Sequence, residues 1–461
     1  MENFAHSNGS TFEEALSLTM RRKLEMGNKK KNITFLRRKY RGMRSDSQSE
    51  KKRKRQDYKR EKRLSKGKQV KAKDIIHKGH KQFALTWGMM MGVKMSVGAQ
   101  LEFSSKLRVC ELKITDFMVV DKYNIPLEIE GMSSQFKFKD YAPLAFRNLR
   151  NFWGVDKYEY INSICNPKNN FLEFMSNSKS GMYFFISNDK KYMIKTLKGY
   201  ECKFLRRILP HYVQYMVRNP NSLITQYYGL HRVKMPHLNR KIHFVVMNNI
   251  FHTPKPIHTM YDLKGATYSG RYVSKIKTNA KGSIVCRKDL NFLGFTNQCN
   301  DKKTIKAVSK FIQHLKLGNA ERKLSFADQI ASDSVFLAEM KIMDYSLLIG
   351  VHGIDPLQVP GYNGHGEVEG CNHYIGDEKE VALSLFKRDD GGFRGMNDDG
   401  TSNNEIYYIG IIDILQQYNL LKFAENKYKS YFSKECSTKI SALPPKKYAK
   451  RFIEFIISSI K

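Results

Sequence analysis

Three residues in this chain have types and surroundings that could do chemistry together. Asp344 is the one acid in MDYSLLIGVH, Met343 to His352, and it precedes a run of branched apolar side chains. Asp413 closes a second apolar run, IYYIGIID, which starts at Ile406. Lys195 lies on the return half of SNSKSGMYFFISNDKKYMIKTLKG, whose opening stretch Ser176 to Gly181 is small and polar. A carboxylate at the mouth of a buried strand is costly unless it is paired, at a rim or functional. A small-residue turn lets backbone N–H groups close on a phosphate, and a lysine opposite it supplies a point charge. Phosphoryl transfer needs a lysine on the phosphates, one acid to take the nucleophile's proton and one to hold Mg²⁺. Taken singly, each acid fits a rim position equally well, and Lys195 fits an exposed hairpin lysine. The HRD, DFG and GxGxxGxV motifs are absent, so the ordinary protein-kinase signature is missing.

The elements that must position these residues are readable in outline. SLLIGV is short, β-branched-rich and ended by Gly353, which predicts a buried strand with Asp344 at its mouth. Met182–Ile186 and Lys191–Leu197 read as strands around an Asn188-Asp189 turn. Glu201 opens the helical pattern Cys202–Leu209, where it either pairs with Lys195 or favours a helix N-terminus. Upstream, Gly79–Gly98 reads as a helix followed by a turn, its three consecutive Met being core filler. FKFKDYAPLAFRNLRNFWG, from Phe136, predicts a strand, a Pro-marked break and a helix built on Leu144, Phe146, Leu149 and Phe152. Leu223–Val233 and Lys241–Met247 form a strand pair, and the Pro- and His-containing Asn248–His258 marks a boundary between lobes. Tyr261–Arg271, YDLKGATYSGR, gives a strand end and a polar turn with Asp262 and Lys264 on the same side. Residues 301–341 look largely helical, 354–404 read as a long loop, and a helix closes the chain over Tyr448–Ile460. Between Leu420 and Lys447 the chain is Lys-rich, with Phe423, Tyr428, Tyr431 and Phe432 interleaved.

Composition sets the class of partner. The chain has 461 residues, 41% of them hydrophobic, which is enough for a large core in more than one lobe. Its formal charge of +36 calls for an acidic partner such as anionic lipid, nucleic acid or a phosphorylated substrate. Residues 51–73 alone hold 13 Lys or Arg against Asp57 and Glu61, including KKRKR at Lys51–Arg55. Residues 1–73 read as a basic disordered arm, and KKRKR fits a nuclear import signal, a membrane or RNA patch, or a solvated tail. The part beyond it remains strongly basic. Seven scattered cysteines without a CxxC pair favour reduced thiols in an intracellular protein. No apolar run reaches the length of a membrane span, and the N-terminus lacks a signal-peptide core.

FKFKDYAP, YMIKTLKGYE, YDLKGATYSGR, MDYSLLIGVH and YIGIIDILQ resemble motifs of the phosphatidylinositol phosphate kinase family, in that family's order, from about Lys78 to the C-terminus. The resemblance implies an α+β, two-lobed kinase-like fold. An antiparallel sheet would fill the N-lobe (74–250) and mixed α/β structure the C-lobe (251–461), with 354–404 as an insertion and 413–447 as the activation or specificity loop. It implies ATP and Mg²⁺ as cofactors and a phosphatidylinositol bisphosphate as product. Ser178–Phe184, with Ser180 and Gly181, resembles the phosphate-covering loop, Lys195 the ATP lysine and Glu201 its helix partner. Lys264 resembles the second phosphate-contacting lysine, Asp344 the catalytic acid that orients the inositol hydroxyl, and Asp413 the metal ligand. The Lys-rich segment, with Lys422, Lys427, Lys429, Lys434, Lys446 and Lys447, resembles the part that meets the membrane and chooses the substrate.

This chain departs from the family pattern at Ala266, where Ser is usual, at Met182, where a small residue is usual, and at Lys422-Phe423, where a Lys pair is frequent. No chaperonin-like or zinc-finger region precedes the kinase part, which argues against the large 3-phosphate 5-kinase type, and of the remaining types the expectation is a phosphatidylinositol 4-phosphate 5-kinase. A 5-phosphate 4-kinase and a catalytically weak membrane-binding scaffold are the alternatives. The expected partners are an anionic membrane surface and a phosphoinositide, with a homodimer permitted and nucleic acid disfavoured. The expected location is the cytoplasm, peripheral at the inner face of the plasma membrane, with the nucleus left open by KKRKR.

Overall fold

Alternating apolar residues make the first layer. In β2 (Val120–Ile129) and β3 (Met132–Tyr141), Ile125, Phe136 and Phe138 are buried while Lys122 and Lys137, on the other face, are exposed, the period-2 pattern of a sheet covered on one side. The cover is helix α1 (Phe83–Ala99), whose Met89 and Val93 are fully buried against this face. Gly92 is required there, because a Cβ would lie 2.0 Å from the Phe138 ring.

The computed structural model describes residues 74–76, 82–99, 112–129, 132–165, 172–174, 182–235, 240–266, 271–273, 286–293, 314–354, 362–363, 367–368, 391–418 and 443–460. The expected arm, 1–73, lies outside them. β1 (Asp74–Ile75), β4 (Leu172–Phe174), β5 (Phe184–Ile186), β6 (Tyr192–Leu197), β7 (Tyr227–Met235) and β8 (Arg240–Asn248) join β2 and β3 in an eight-stranded sheet, order β1-β4-β5-β6-β8-β7-β3-β2. Every pairing in it is antiparallel. Helices α2 (Pro143–Phe152) and α3 (Lys157–Cys165) follow β3, and α4 (Gly199–Arg218) follows β6.

A second, five-stranded sheet is mixed. It contains β9 (Thr259–Leu263), β10 (Cys286–Arg287), β11 (Ser346–Gly353), β14 (Phe393–Met396) and β15 (Ser402–Ile412), in the order β10-β9-β11-β15-β14, with only β10 and β9 parallel. A two-residue pair, β12 (Tyr362–Asn363) and β13 (Glu367–Val368), stands apart. Helices α5 (Asp289–Phe292), α6 (Ala320–Glu339) and α7 (Pro445–Ile457) complete the order, α6 packing against α7. This is the α+β, two-sheet architecture expected. Among the described residues no helix is long and apolar enough to cross a membrane, and Cys165, Cys202 and Cys286 are free thiols.

Four expectations need correcting. The 354–404 stretch is not loop throughout, because β14 and the first residues of β15 lie in it. Their pairings, Met396 with Ser402 and Gly353 with Glu405, draw in the polar run Ser402–Glu405, which carries no hydrophobic period. Of the stretch 301–341 expected to be helical, the part before His314 lies outside the described residues, and 314–319 are not helical: α6 starts at Ala320, capped by the Asn319 side chain on the Arg322 N–H, and Leu315 and Leu317 form isolated bridges. The last helix begins at Pro445, a favoured first position, and ends at Ile457. Lys446 and Lys447 therefore sit in the exposed first turn of α7, outside a loop.

Candidate active site

Register brings the candidate residues together. Ser346 pairs with Ile412 and Leu347 with Leu263, so Asp344, Asp413 and Lys264 all leave the second sheet at the same end. Asp344 and Asp413 both adopt left-handed backbone conformations, φ 64° and 62°. Such geometry is uncommon outside glycine but tolerated by Asp, and it turns each acid off its strand axis. Lys195, from β6 of the first sheet, donates to Asp413 Oδ1 at 2.6 Å. Lys264 donates to Asp344 Oδ1 at 2.8 Å and also to the Asp344 carbonyl. Two lysine–aspartate pairs thus face one end of one sheet.

Exposure differs within the pairs in a useful way. The Lys195 side chain is 8% exposed and Asp413 51%; Lys264 is 15% and Asp344 32%. Both lysines are held within the protein while both acids reach solvent. Burial pushes the Asp413 carboxyl up, but the Lys195 ammonium, its hydrogen bond and the Lys264 charge outweigh it and hold the group below the usual carboxylate range. It is therefore ionised at neutral pH. Lys195 also lies 5.4 Å from the Phe184 ring centroid, a cation–π distance.

Of the two roles read for Glu201, the structure shows the one at the helix N-terminus and not the pairing with Lys195 that the resemblance implies. Its carboxylate accepts the Lys198 N–H at 2.7 Å in the first turn of α4, so it caps the helix, and Lys195 turns to Asp413 instead. Ser180 and Gly181 lie outside the described residues, as do Lys422, Lys427, Lys429 and Lys434. Met182 is half-buried. Ala266 is fully buried, and its N–H reaches Asp289 at 3.3 Å, so the missing hydroxyl leaves this backbone contact in place.

The scaffold under the pairs was not visible in spacing. Asp289, at the start of α5, is fully buried and its Oδ1 accepts the N–H groups of Lys264, Gly265 and Ala266 at 2.8, 2.7 and 3.3 Å. Arg271 Nε reaches its other oxygen at 2.5 Å. Arg271 also bonds Asp262, which Lys288 contacts in turn. Burial raises the Asp262 carboxyl, but the charges of Arg271, Lys288 and Lys264 hold it far below the usual range. The one sequence cue to this network is an acid opening the short run KDLNF beside a buried Phe292.

The last helix closes over the same end. Tyr448 donates to the Tyr345 carbonyl, and the Tyr345 ring meets Tyr448 and Phe452 edge-on at 4.8 and 5.0 Å. Gly265, at φ 67°, passes so near α7 that a Cβ would lie 3.1 to 3.2 Å from Phe455, Arg451 and Phe452. A second buried acid, Asp333 on α6, accepts from Tyr215, Ser222, Leu223 N–H and Gln329. The segment it holds is bonded to Ile411, two residues before Asp413, by Ile411 N–H to the Leu223 carbonyl and Thr225 N–H to the Ile411 carbonyl.

Among the described residues no group of three or more His, Cys, Asp or Glu forms a metal cage. Magnesium sites built on one or two carboxylates plus nucleotide phosphates do not need one. Asp413, ionised, half-exposed and held through one oxygen, fits that donor set. The constellation can bind an anionic, phosphate-bearing ligand between two lysines and present a carboxylate to a hydroxyl beside it.

A family model described as phosphatidylinositol-4-phosphate 5-kinase matches residues 165–459. The chain is 33% identical over 430 residues to the phosphatidylinositol 4-phosphate 5-kinase its3 of Schizosaccharomyces pombe, covering 84% of this chain and 54% of that protein. It is 32% identical over 450 residues to a probable phosphatidylinositol phosphate kinase of Dictyostelium discoideum (84% and 59%). It is also 32% identical over 420 residues to phosphatidylinositol 4-phosphate 5-kinase 3 of Arabidopsis thaliana (85% and 55%). The chain spans little more than half the length of these relatives.

Proposed function

The chain belongs to the phosphatidylinositol-4-phosphate 5-kinase family, and on that premise we propose that it transfers the γ-phosphate of ATP to the inositol ring of a phosphatidylinositol monophosphate. The substrate we assign is phosphatidylinositol 4-phosphate, phosphorylated at the 5-position, as the names of its relatives suggest. The observation that carries the reading is the convergence of Lys195–Asp413 and Lys264–Asp344 at one end of one sheet.

Each residue then has a task that its position supports. Lys195 and Lys264, little exposed and already oriented, place positive charge on the phosphates of the nucleotide. Asp413 would hold Mg²⁺, and the chemistry that ion would supply is neutralisation of phosphate charge. Asp344, a third exposed, accepts the proton of the inositol hydroxyl as that oxygen attacks phosphorus and the bond to the β-phosphate oxygen breaks. Lys264 contacts both the side chain and the carbonyl of Asp344, so it holds the acid in place. The lipid is delivered from an anionic membrane surface, where each Lys near the leaflet contributes about 1 kcal/mol. We place the protein in the cytoplasm, at the inner face of the plasma membrane, in keeping with that substrate and its charge of +36.

The test is transfer of labelled phosphate from ATP to vesicles containing phosphatidylinositol 4-phosphate. Asp344→Asn should cost on the order of 10²–10⁴-fold in turnover, the usual range for a lost general base, with an unchanged melting temperature. Asp413→Asn should abolish Mg²⁺-dependent turnover. Near-normal transfer by either variant would sink the proposal. A membrane-binding scaffold would bind the same vesicles with no turnover in the parent chain.

A further inference from the structure

We propose that Asp289 is a positioning residue for Lys264, fixing the shape of the Lys264–Gly265–Ala266 turn before any ligand arrives. Three consecutive backbone N–H groups point at one atom only where the chain curls into a concave nest, a shape that elsewhere binds phosphate. Here the nest is filled from within. Asp289 Oδ1 takes all three N–H groups at 2.8, 2.7 and 3.3 Å, and Gly265 at φ 67° supplies the left-handed residue the curl requires. An incoming phosphate therefore cannot use these N–H groups. What the turn offers the site is the Lys264 side chain.

Position passes from Asp289 to the site in two steps. The Lys264 N–H is bound to Asp289, and the Nζ of the same residue is bound to Asp344. Asp289 is itself fixed: it is wholly buried, and Arg271 holds its second oxygen at 2.5 Å while bonding the Asp262 carbonyl. Arg271 is raised above its ordinary value, because the charges of Asp289 and Asp262 outweigh the effect of its burial. From the other side, Arg451 of α7 donates to the Lys264 carbonyl at 3.3 Å. Lys264 is thus gripped at its N–H, its carbonyl and its ammonium. Of these three contacts, the carboxylate at the N–H is the one shared with Gly265 and Ala266, so it sets the curl. In Asp289→Asn an amide NH₂ replaces one oxygen. Turned toward Arg271 it opposes a donor; turned toward the nest it opposes three.

The inference rests on Lys264 serving the phosphate site, so its test has one arm that needs no turnover. The first arm measures how fast an amine-acetylating reagent labels Lys264 and Lys195 in the full chain, read by peptide mass spectrometry, in the parent and in Asp289→Asn. Labelling of Lys264 should rise at least fivefold in the variant while Lys195 is unchanged. Equal labelling of Lys264 in both proteins, or an equal rise at both lysines, overturns the proposal. The second arm measures kcat and KM on phosphatidylinositol 4-phosphate vesicles for Asp289→Asn, Lys264→Ala and the double variant. Asp289→Asn should lower kcat at least tenfold with lipid KM within threefold, and the double variant should be no worse than Lys264→Ala within threefold. Losses that multiply in the double variant overturn the positioning role. If the parent chain transfers no phosphate, the kinase reading fails, and the labelling arm still decides the role of Asp289.

Discussion

Asp333 gives a prediction whose size can be worked from the structure. The side chain is fully buried on α6 and accepts from four neutral donors: Tyr215 at 2.7 Å, Ser222 at 2.8 Å, the Leu223 N–H at 2.8 Å and Gln329 at 3.0 Å. Burial pushes the carboxyl from 3.8 up to about 6, and the four hydrogen bonds only partly oppose it. The folded state therefore holds this proton more tightly than the unfolded chain. Stability is greatest below the unfolded value of 3.8, falls as pH rises from there to about 6, and is flat above that. At about 1.4 kcal/mol per pH unit the whole fall is roughly 3 kcal/mol, and the part between pH 4.5 and 7.5 is about 2 kcal/mol. Asp333→Asn removes the titration and keeps one acceptor oxygen, but it turns a donor toward the Leu223 N–H, which costs ~1–3 kcal/mol at every pH. Chemical denaturation of both proteins at pH 4.5 and 7.5 isolates the effect, because every other titrating group is common to the two. The variant should be clearly the less stable at pH 4.5, with the gap about 2 kcal/mol smaller or reversed at pH 7.5. A gap that does not change with pH would refute the assignment of a raised, four-donor carboxyl at this position.

Other perturbations follow from other parts of the fold. Lys195→Met removes the cation from the ionised Asp413 and should reduce phosphate transfer at least 100-fold while raising KM for ATP, measured in the vesicle assay. Gly92→Ala forces a methyl into the Phe138 ring and should destabilise by about 1–3 kcal/mol by overpacking, read as a lower denaturation midpoint. Deleting residues 1–73, which carry KKRKR, should weaken binding to anionic vesicles at low salt and flatten its salt dependence without changing the product. An unchanged salt dependence would remove the arm from membrane binding.

What was legible in the sequence was what local pattern determines. SLLIGV and IYYIGII are strands because branched apolar runs bounded by glycine or acid have few alternatives, and they are the two that carry Asp344 and Asp413. The α1 helix and the hairpin around Asn188-Asp189 were legible for the same reason. Pairing was not. Sequence distance favours Glu201 as partner of Lys195, yet the capping demand of the α4 N-terminus takes Glu201, and Asp413 reaches Lys195 across 218 positions. The polar first half of β15 carries no period, because its neighbours β11 and β14 supply the pairing. Asp289 and Asp333 escaped notice because an acid's burial depends on donors contributed by distant segments, three backbone N–H groups in one case and Tyr215 of α4 with the Ser222–Leu223 loop in the other. The Lys264–Ala266 turn was legible as a turn, while the carboxylate filling it was not.

The central claim is that the paired lysines and acids carry phosphate to an inositol ring, with Asp344 taking the proton. It is tested most directly by offering the parent chain and Asp344→Asn the three monophosphorylated phosphatidylinositols in vesicles with labelled ATP and Mg²⁺, then identifying the lipid products. The account predicts phosphatidylinositol 4,5-bisphosphate from the 4-phosphate lipid with the parent chain and almost none with the variant. Labelled bisphosphate at equal rates from both proteins, or from neither, would contradict it.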